Sequence, residues 1–406
     1  MKVVLANDAP RRKVRHAPPL ALVLGLPLVA CGSSAGAERS SAADGGARPD
    51  ASAHAGAPQP VDAGADAPVD LPDAGPSDSG GEGAAGGLHV EGNQLVDQGK
   101  VVRLLGVDRS GTEYMCIGGD GIFDGPVDQT ATSAITGWHT NAVRVPLNED
   151  CWLDINGAPA AYSGSAYQTA IMGYVSLLRQ NGLYVILDLH WNGPGTTKAT
   201  GQLPMADADH APAFWTSVAS AFASDPGVVF DLYNEPFVTS WGCWLNGCEI
   251  TGSSAGNYMS AGMQQLLDAV RATGAKNVVM AGGLAYANDL SEWLANEPND
   301  SAGALAASFH NYNFNTCSTT ACWTTNIASV AARVPVITGE MGENDCAAGY
   351  IDGYMPWADD AGVSYLGWAW NADFDCSTGP SLITDYTGTP TAFGAGLQTH
   401  LAAIHP

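Results

Sequence analysis

From residue 88 onward the chain alternates between two hydrophobic periodicities. Short apolar runs with strand character stand at 102–108, 142–147, 184–190, 228–235, 277–282, 305–311, 335–340 and 363–371. Between them lie longer stretches in which apolar residues return every three or four positions, as an amphipathic helix requires. Examples are 165–180, 211–223, 256–273, 325–334 and 347–361, with a last one at 392–403. In 256–273, Met259, Met263, Leu266 and Val270 fall at helical spacing, and Gly274 can end the helix. The fourth run, 228–235, starts after the turn residues Asp225-Pro226-Gly227 and stops where Pro236 removes a backbone donor. Ahead of the first run, alternation around Gly92-Asn93 and Gln98-Gly99 predicts a small β-hairpin. Eight successive strand–helix units predict an α/β fold, a (β/α)8 TIM barrel over residues 88–406. A doubly wound open sheet is the second choice, but no glycine-rich phosphate loop follows the first strand.

The segment before residue 88 has a different texture. Arg11, Arg12, Lys13 and Arg15 precede an apolar run at 20–30 that is too short to span a bilayer, which reads as an export signal. Leu28-Val29-Ala30-Cys31-Gly32 resembles a bacterial lipobox, so residues 1–31 are expected to be a lipoprotein signal peptide with lipidation at Cys31. An ordinary signal peptide with an incidental cysteine is the alternative. Residues 32–87 are almost wholly Ala, Gly, Ser, Asp and Pro, and bury too little apolar surface to offset ordering entropy. They are expected to form a disordered linker. The protein is therefore expected to be exported, either lipid-anchored to the cell envelope or released, with membrane contact through that anchor only.

Charge narrows the partners. The 41 acidic residues against 16 basic ones give a formal charge of −25, which repels nucleic acid and anionic lipid. Of nine cysteines, eight lie in the barrel region, an even number that suits disulfides in an oxidising compartment. Local spacing favours Cys243–Cys248 and Cys317–Cys322, leaving Cys116–Cys151 and Cys346–Cys376. No Cys-x-x-Cys pair occurs, so a metal site is not expected.

Polar residues gather at the strand ends. They are Asn141 and Arg144 on the second run, Asp188, His190, Trp191 and Asn192 on the third, and Asn234 and Glu235 on the fourth. His310 and Tyr312 follow on the sixth, Glu340 on the seventh, and Trp368, Trp370 and Asn371 on the eighth. In a barrel these ends converge on one face. Taken singly, Arg144 is an ordinary ion-pair partner, His190 a core histidine and each tryptophan core packing; the joint placement favours a site. Two glutamates on opposing strands among aromatics suit glycoside hydrolysis, in which one carboxyl protonates the leaving oxygen and the other attacks or activates water. Neither a Gly-x-Ser-x-Gly elbow between strand and helix nor a His-Glu-x-x-His motif is present.

These motifs resemble the cellulase-type members of glycoside hydrolase family 5. The resemblance rests on Arg144 in NAVRVPL, His190 in VILDLHWN, Asn234-Glu235 in FDLYNEP, His310 and Tyr312 in SFHNYN, Glu340 in VITGEMG and Trp368 in LGWAWN. It implies a retaining double displacement with Glu235 as acid/base and Glu340 as nucleophile. It further implies that Asn234 binds the 2-hydroxyl of the attacked sugar and that Arg144 and Tyr312 hold Glu340 as an anion. His190 and His310 would contact the sugar and Glu235, and Trp368 would stack beneath the ring, with Trp370 as the alternative. Glu343 is the rival nucleophile but lies past Gly342, off the strand. Burial beside a second carboxylate is expected to raise the pKa of Glu235. Trp191, Trp241 and Trp244 either line a cleft for the β-linked polysaccharide or pack their own loop. The expected activity is endo-β-1,4-glucanase without metal or cofactor, in a monomer. A β-mannanase or other β-glycanase is the alternative, and an inactive carbohydrate-binding lipoprotein the third reading.

Overall fold

A computed structural model describes residues 87–345, 347–374 and 379–404. The leader with Cys31, the linker apart from Gly87, and the Cys346–Cys376 bridge lie outside the described residues.

The described chain opens with an antiparallel sheet of β1 (His89–Glu91), β2 (Gln94–Asp97) and β3 (Lys100–Val102). It turns at Gly92 and at Gln98-Gly99, whose φ values of 51° and 72° are left-handed, as a tight hairpin requires. Four barrel strands follow, β4 (Leu105–Asp108), β5 (Ala142–Asn148), β6 (Tyr184–Trp191) and β7 (Val228–Asp231). After a two-stranded ribbon, β8 (Glu249–Ser253) and β9 (Gly256–Met259), come β10 (Val279–Gly282), β11 (Leu305–Tyr312), β12 (Val336–Gly342) and β13 (Ser364–Gly367). The eight barrel strands pair in parallel and close when β13 meets β4. The (β/α)8 expectation therefore holds.

Alternation along each strand makes two cores. Outward residues such as Val143, Val185, Leu187 and Phe230 pack beneath the helices. Inward residues Ile186, Val229, Met280, Ala306, Ile337 and Leu366 fill the barrel floor with Leu88 and Leu95 of the hairpin. The hairpin thus plugs the amino end of the barrel.

Four expected elements are redrawn. Residues 102–108 divide, since Val102 pairs within the hairpin sheet and only Leu105–Asp108 enters the barrel. The fourth and eighth runs are shorter strands, leaving Glu235 and Trp368 just beyond their ends. Helix 256–273 is a correction: its first part is β9, and the helix is Met263–Ala272. Gly256, at φ 81°, turns the ribbon, and Tyr258 is buried while Met259 is exposed, the two-residue period of a strand.

Candidate active site

The barrel places one polar layer above its apolar floor. Two residues beyond the inward positions Gly106, Ala142, Ile186 and Val229 stand Asp108, Arg144, Asp188 and Asp231, which strand alternation also turns inward. Register sets Asp108 opposite Arg144 and Asp188 opposite Asp231. All four are fully buried.

Arg144 is the hub. It forms ion pairs with Asp108 at 3.1 Å, Asp188 at 3.1 Å, Asp231 at 3.2 Å and Glu340 at 2.9 Å. Its Nη2 also donates to Asn234 Oδ1 at 2.7 Å, and Asn234 Nδ2 donates to Gln202 Oε1 at 3.1 Å. Tyr312 Oη donates to Glu340 Oε2 at 2.6 Å, so both oxygens of Glu340 are held. His310 Nδ1 sits 3.1 Å from Glu235 Oε1 and 3.6 Å from Glu340 Oε2. Oxygens of both glutamates and a ring nitrogen of His310 all fall within 4.8 Å of one another. Among the described residues this is the one group of acidic, histidine or cysteine side chains close enough to share a metal ion, so an ion there would occupy the centre itself.

The two glutamates differ in surroundings. The Glu235 side chain keeps 22% exposure at the mouth, while that of Glu340 keeps 5%. Burial pushes the Glu235 carboxyl up to about 7, against the opposing pull of His190 and Arg144. Burial drives His310 down to about 4, so its imidazole is neutral at pH 7. Burial would also lower His190, but Asp188, 2.8 Å from its Nδ1, leads the charges that outweigh it and raise the pKa. The His190 ring lies parallel to the half-buried Trp368, 5.4 Å between centroids and 10° between planes.

The model of the cellulase family, glycosyl hydrolase family 5, matches residues 107–374. The chain belongs to glycosyl hydrolase family 5. As a family 5 member it is a glycoside hydrolase of β-glycans. A mannan endo-1,4-β-mannosidase of Streptomyces lividans is 26% identical over 307 residues, covering 74% of this chain and 70% of that protein. An endoglucanase of a Microbulbifer species is 28% identical over 161 residues, covering 38% of this chain and 27% of its own length. Among solved structures, a β-glucanase of Saccharophagus degradans superposes with a TM-score of 0.58 at 20% identity, covering 79% of this chain and 94% of that one. At that identity the likeness bears on the fold alone.

The family 5 residues named from the sequence gather at one mouth: Arg144, Asn234, Glu235, His310, Tyr312 and Glu340 are linked by direct contacts, His190 joins Arg144 through Asp188, and Trp368 lies against His190. Glu343 stands apart, accepting from the Tyr350 and Ile351 amides at the start of helix Gly349–Asp360. Three tryptophans are corrections. Trp370 is fully buried against Trp138, ring centroids 4.8 Å apart, and has no face for a sugar. Trp244 is equally buried, its indole N–H donating to the Gly282 carbonyl at 2.7 Å, and Trp241 packs edge-on against it. Both brace the loop instead of lining a cleft. Trp191 is half-buried, 6.4 Å from Tyr114. The expected bridges Cys116–Cys151, Cys243–Cys248 and Cys317–Cys322 are formed.

Sequence reading missed Asp108, Asp231, Gln202 and Glu113. The two aspartates carried a signal, since a lone carboxylate inside an apolar strand must find a buried partner. Glu113, pushed up to about 7 by burial near His190, and Gln202 lie on loops whose path no periodicity foretells.

Proposed function

We propose that the chain is a retaining endo-β-1,4-glucanase. The observation that carries this reading is the close approach of Glu235 and Glu340, within 4.8 Å, on the short side of the separation that distinguishes retaining from inverting sites. Glu340, held by Arg144 and Tyr312, attacks the anomeric carbon from one side. Glu235, protonated near neutrality, gives its proton to the leaving oxygen and then takes one from water as the glycosyl ester is hydrolysed. Neutral His310, in contact with both carboxylates, leaves that proton on Glu235 until the bond breaks. Asn234 binds the 2-hydroxyl, and Trp368 with His190 packs the sugar ring.

Glucan is favoured by the endoglucanases among the relatives. Mannan is the second reading, favoured by the long match to the Streptomyces mannosidase. Reducing-sugar release from carboxymethylcellulose and galactomannan separates them. Glu235→Gln and Glu340→Gln are each expected to lower the rate by about a thousandfold or more. Full activity in Glu340→Gln overturns the nucleophile assignment, and activity on neither polymer overturns the reading.

The leader supports export as a lipoprotein anchored through Cys31. Cys31→Ala is expected to release the protein from the membrane fraction, and unchanged membrane association overturns the anchor.

A further inference from the structure

Gln202 lies half-buried on the loop that joins β6 to helix Ala211–Phe222, against the Asn234–Glu235 pair. The direction of each side-chain amide here follows from neighbours that can only donate or only accept. The Arg144 guanidinium only donates, so Asn234 turns Oδ1 to its Nη2 and Nδ2 away from it. Nδ2 then donates to Gln202 Oε1, which commits the Gln202 amide in turn. Gln202 Nε2 donates to the backbone carbonyls of Glu235 and Leu203, both at 3.1 Å, and carbonyls only accept. A directed chain thus runs from Arg144 through Asn234 and Gln202 to the backbone of Glu235. Flipping either amide sets donor against donor and acceptor against acceptor.

The loop that carries Gln202 is pinned on both sides. Toward the site, Tyr233 Oη donates to the Leu203 carbonyl at 2.8 Å and the Phe237 amide to the Pro204 carbonyl at 2.9 Å. Residues 202–204 therefore run alongside 233–237 and grip it on either side of Asn234 and Glu235. On the other side, the β8–β9 ribbon and the residues after it brace the loop. Tyr258 Oη donates to the Met205 carbonyl at 2.7 Å, and the Ala261 amide to the Ala206 carbonyl at 2.9 Å. The Ala208 amide donates to the Met259 carbonyl, also at 2.9 Å. A side chain presented from such a loop holds its partner at a set angle.

The Asn234 amide carries two N–H groups, and Gln202 takes one of them. The direction of the second is then fixed by two contacts, Arg144 on the oxygen and Gln202 on the nitrogen. We propose that Gln202 is a positioning residue, which fixes the plane of the Asn234 amide and aims its second N–H at the 2-hydroxyl of the attacked sugar. This assignment rests on the retaining β-1,4-glucanase reading above, in which Asn234 binds that hydroxyl. Hydrogen bonds to the 2-hydroxyl strengthen in the transition state, so the aim of this N–H bears on the rate of attack.

The test uses dinitrophenyl β-cellobioside and its analogue whose attacked glucose lacks the 2-hydroxyl. Glu340 attacks the anomeric carbon, and dinitrophenolate leaves with the bonding electron pair and without a proton, so the acid role of Glu235 does not enter. In Gln202→Ala, kcat/KM is expected to fall roughly three- to tenfold on the intact substrate and less than about twofold on the analogue. Gln202→Glu, which keeps an oxygen facing Asn234, is expected to recover most of the loss. An unchanged rate in Gln202→Ala, or equal losses on the two substrates, overturns the proposal. So does a Gln202→Glu variant as slow as Gln202→Ala. A wild type that cleaves both substrates equally well keeps the glucanase reading but refutes the 2-hydroxyl contact, and the aim of Asn234 with it. A wild type that releases no dinitrophenolate refutes the glucanase reading itself, on which the assignment rests.

Discussion

Arg144 contacts four carboxylates at once, three of them fully buried aspartates, and a single guanidinium cannot neutralise four anions in a dry interior. Burial raises Asp108 well above the usual carboxylate range and Asp231 to about 7, so protons reside there near neutrality. The folded state holds a proton on Asp231 that the unfolded chain releases. Its contribution to stability is present below the unfolded pKa and is lost as pH rises through about 7. Urea unfolding is therefore expected to give lower stability at pH 8 than at pH 5, with a smaller difference in Asp231→Asn. Glu235 follows the same direction for activity. As an acid pushed up to about 7, it loses its proton above that pH, and kcat/KM is expected to fall about tenfold per unit beyond it. A pH–rate profile on a soluble glucan checks this.

Two periodicities governed how much of each element was legible. Strand runs were readable because barrel strands are apolar on both faces, while the polar layer interrupts them at Asp108, Arg144, Asp188 and Asp231. The stretch 256–273 misled because Met259 fits a helical spacing with Met263 yet points to solvent from β9. Helical period over a few residues cannot be told from strand period when a glycine turn divides the stretch. The loops after β4 and β5 are stapled by Cys116–Cys151, whose sequence separation of 35 exceeds the separation of 5 in the other two bridges. Chain entropy predicts a loss of about 4 kcal/mol for Cys116→Ser with Cys151→Ser, against about 2 kcal/mol for Cys317→Ser with Cys322→Ser. Denaturant midpoints of the two double variants check the order.

At the scale of the barrel, the two ends have different work. The amino end is closed by the hairpin, where Leu88 and Leu95 join inward residues of the strands. Leu95→Ala leaves a void in that floor and is expected to cost about 3 kcal/mol in thermal or chemical unfolding, while hydrolysis of soluble glucan at low temperature persists. The carboxyl end carries every residue of the proposed chemistry, because parallel closure brings all the strand ends to one mouth. No helix among the described residues is long and apolar enough to cross a membrane.

The sequence by itself determined the fold class and pointed to the paired glutamates, since both depend on residue type and on period along the chain. Tertiary structure alone decided which tryptophans keep an open face. Trp368 and Trp370 are two residues apart, yet one rests half-buried beside His190 and the other is sealed against Trp138. It also decided that Asp108 and Asp231 share Arg144 with Glu340, and that Gln202 meets Asn234 across a gap of many residues. Exposure and through-space charge are properties of what surrounds a side chain, and those surroundings come into being only when the barrel closes.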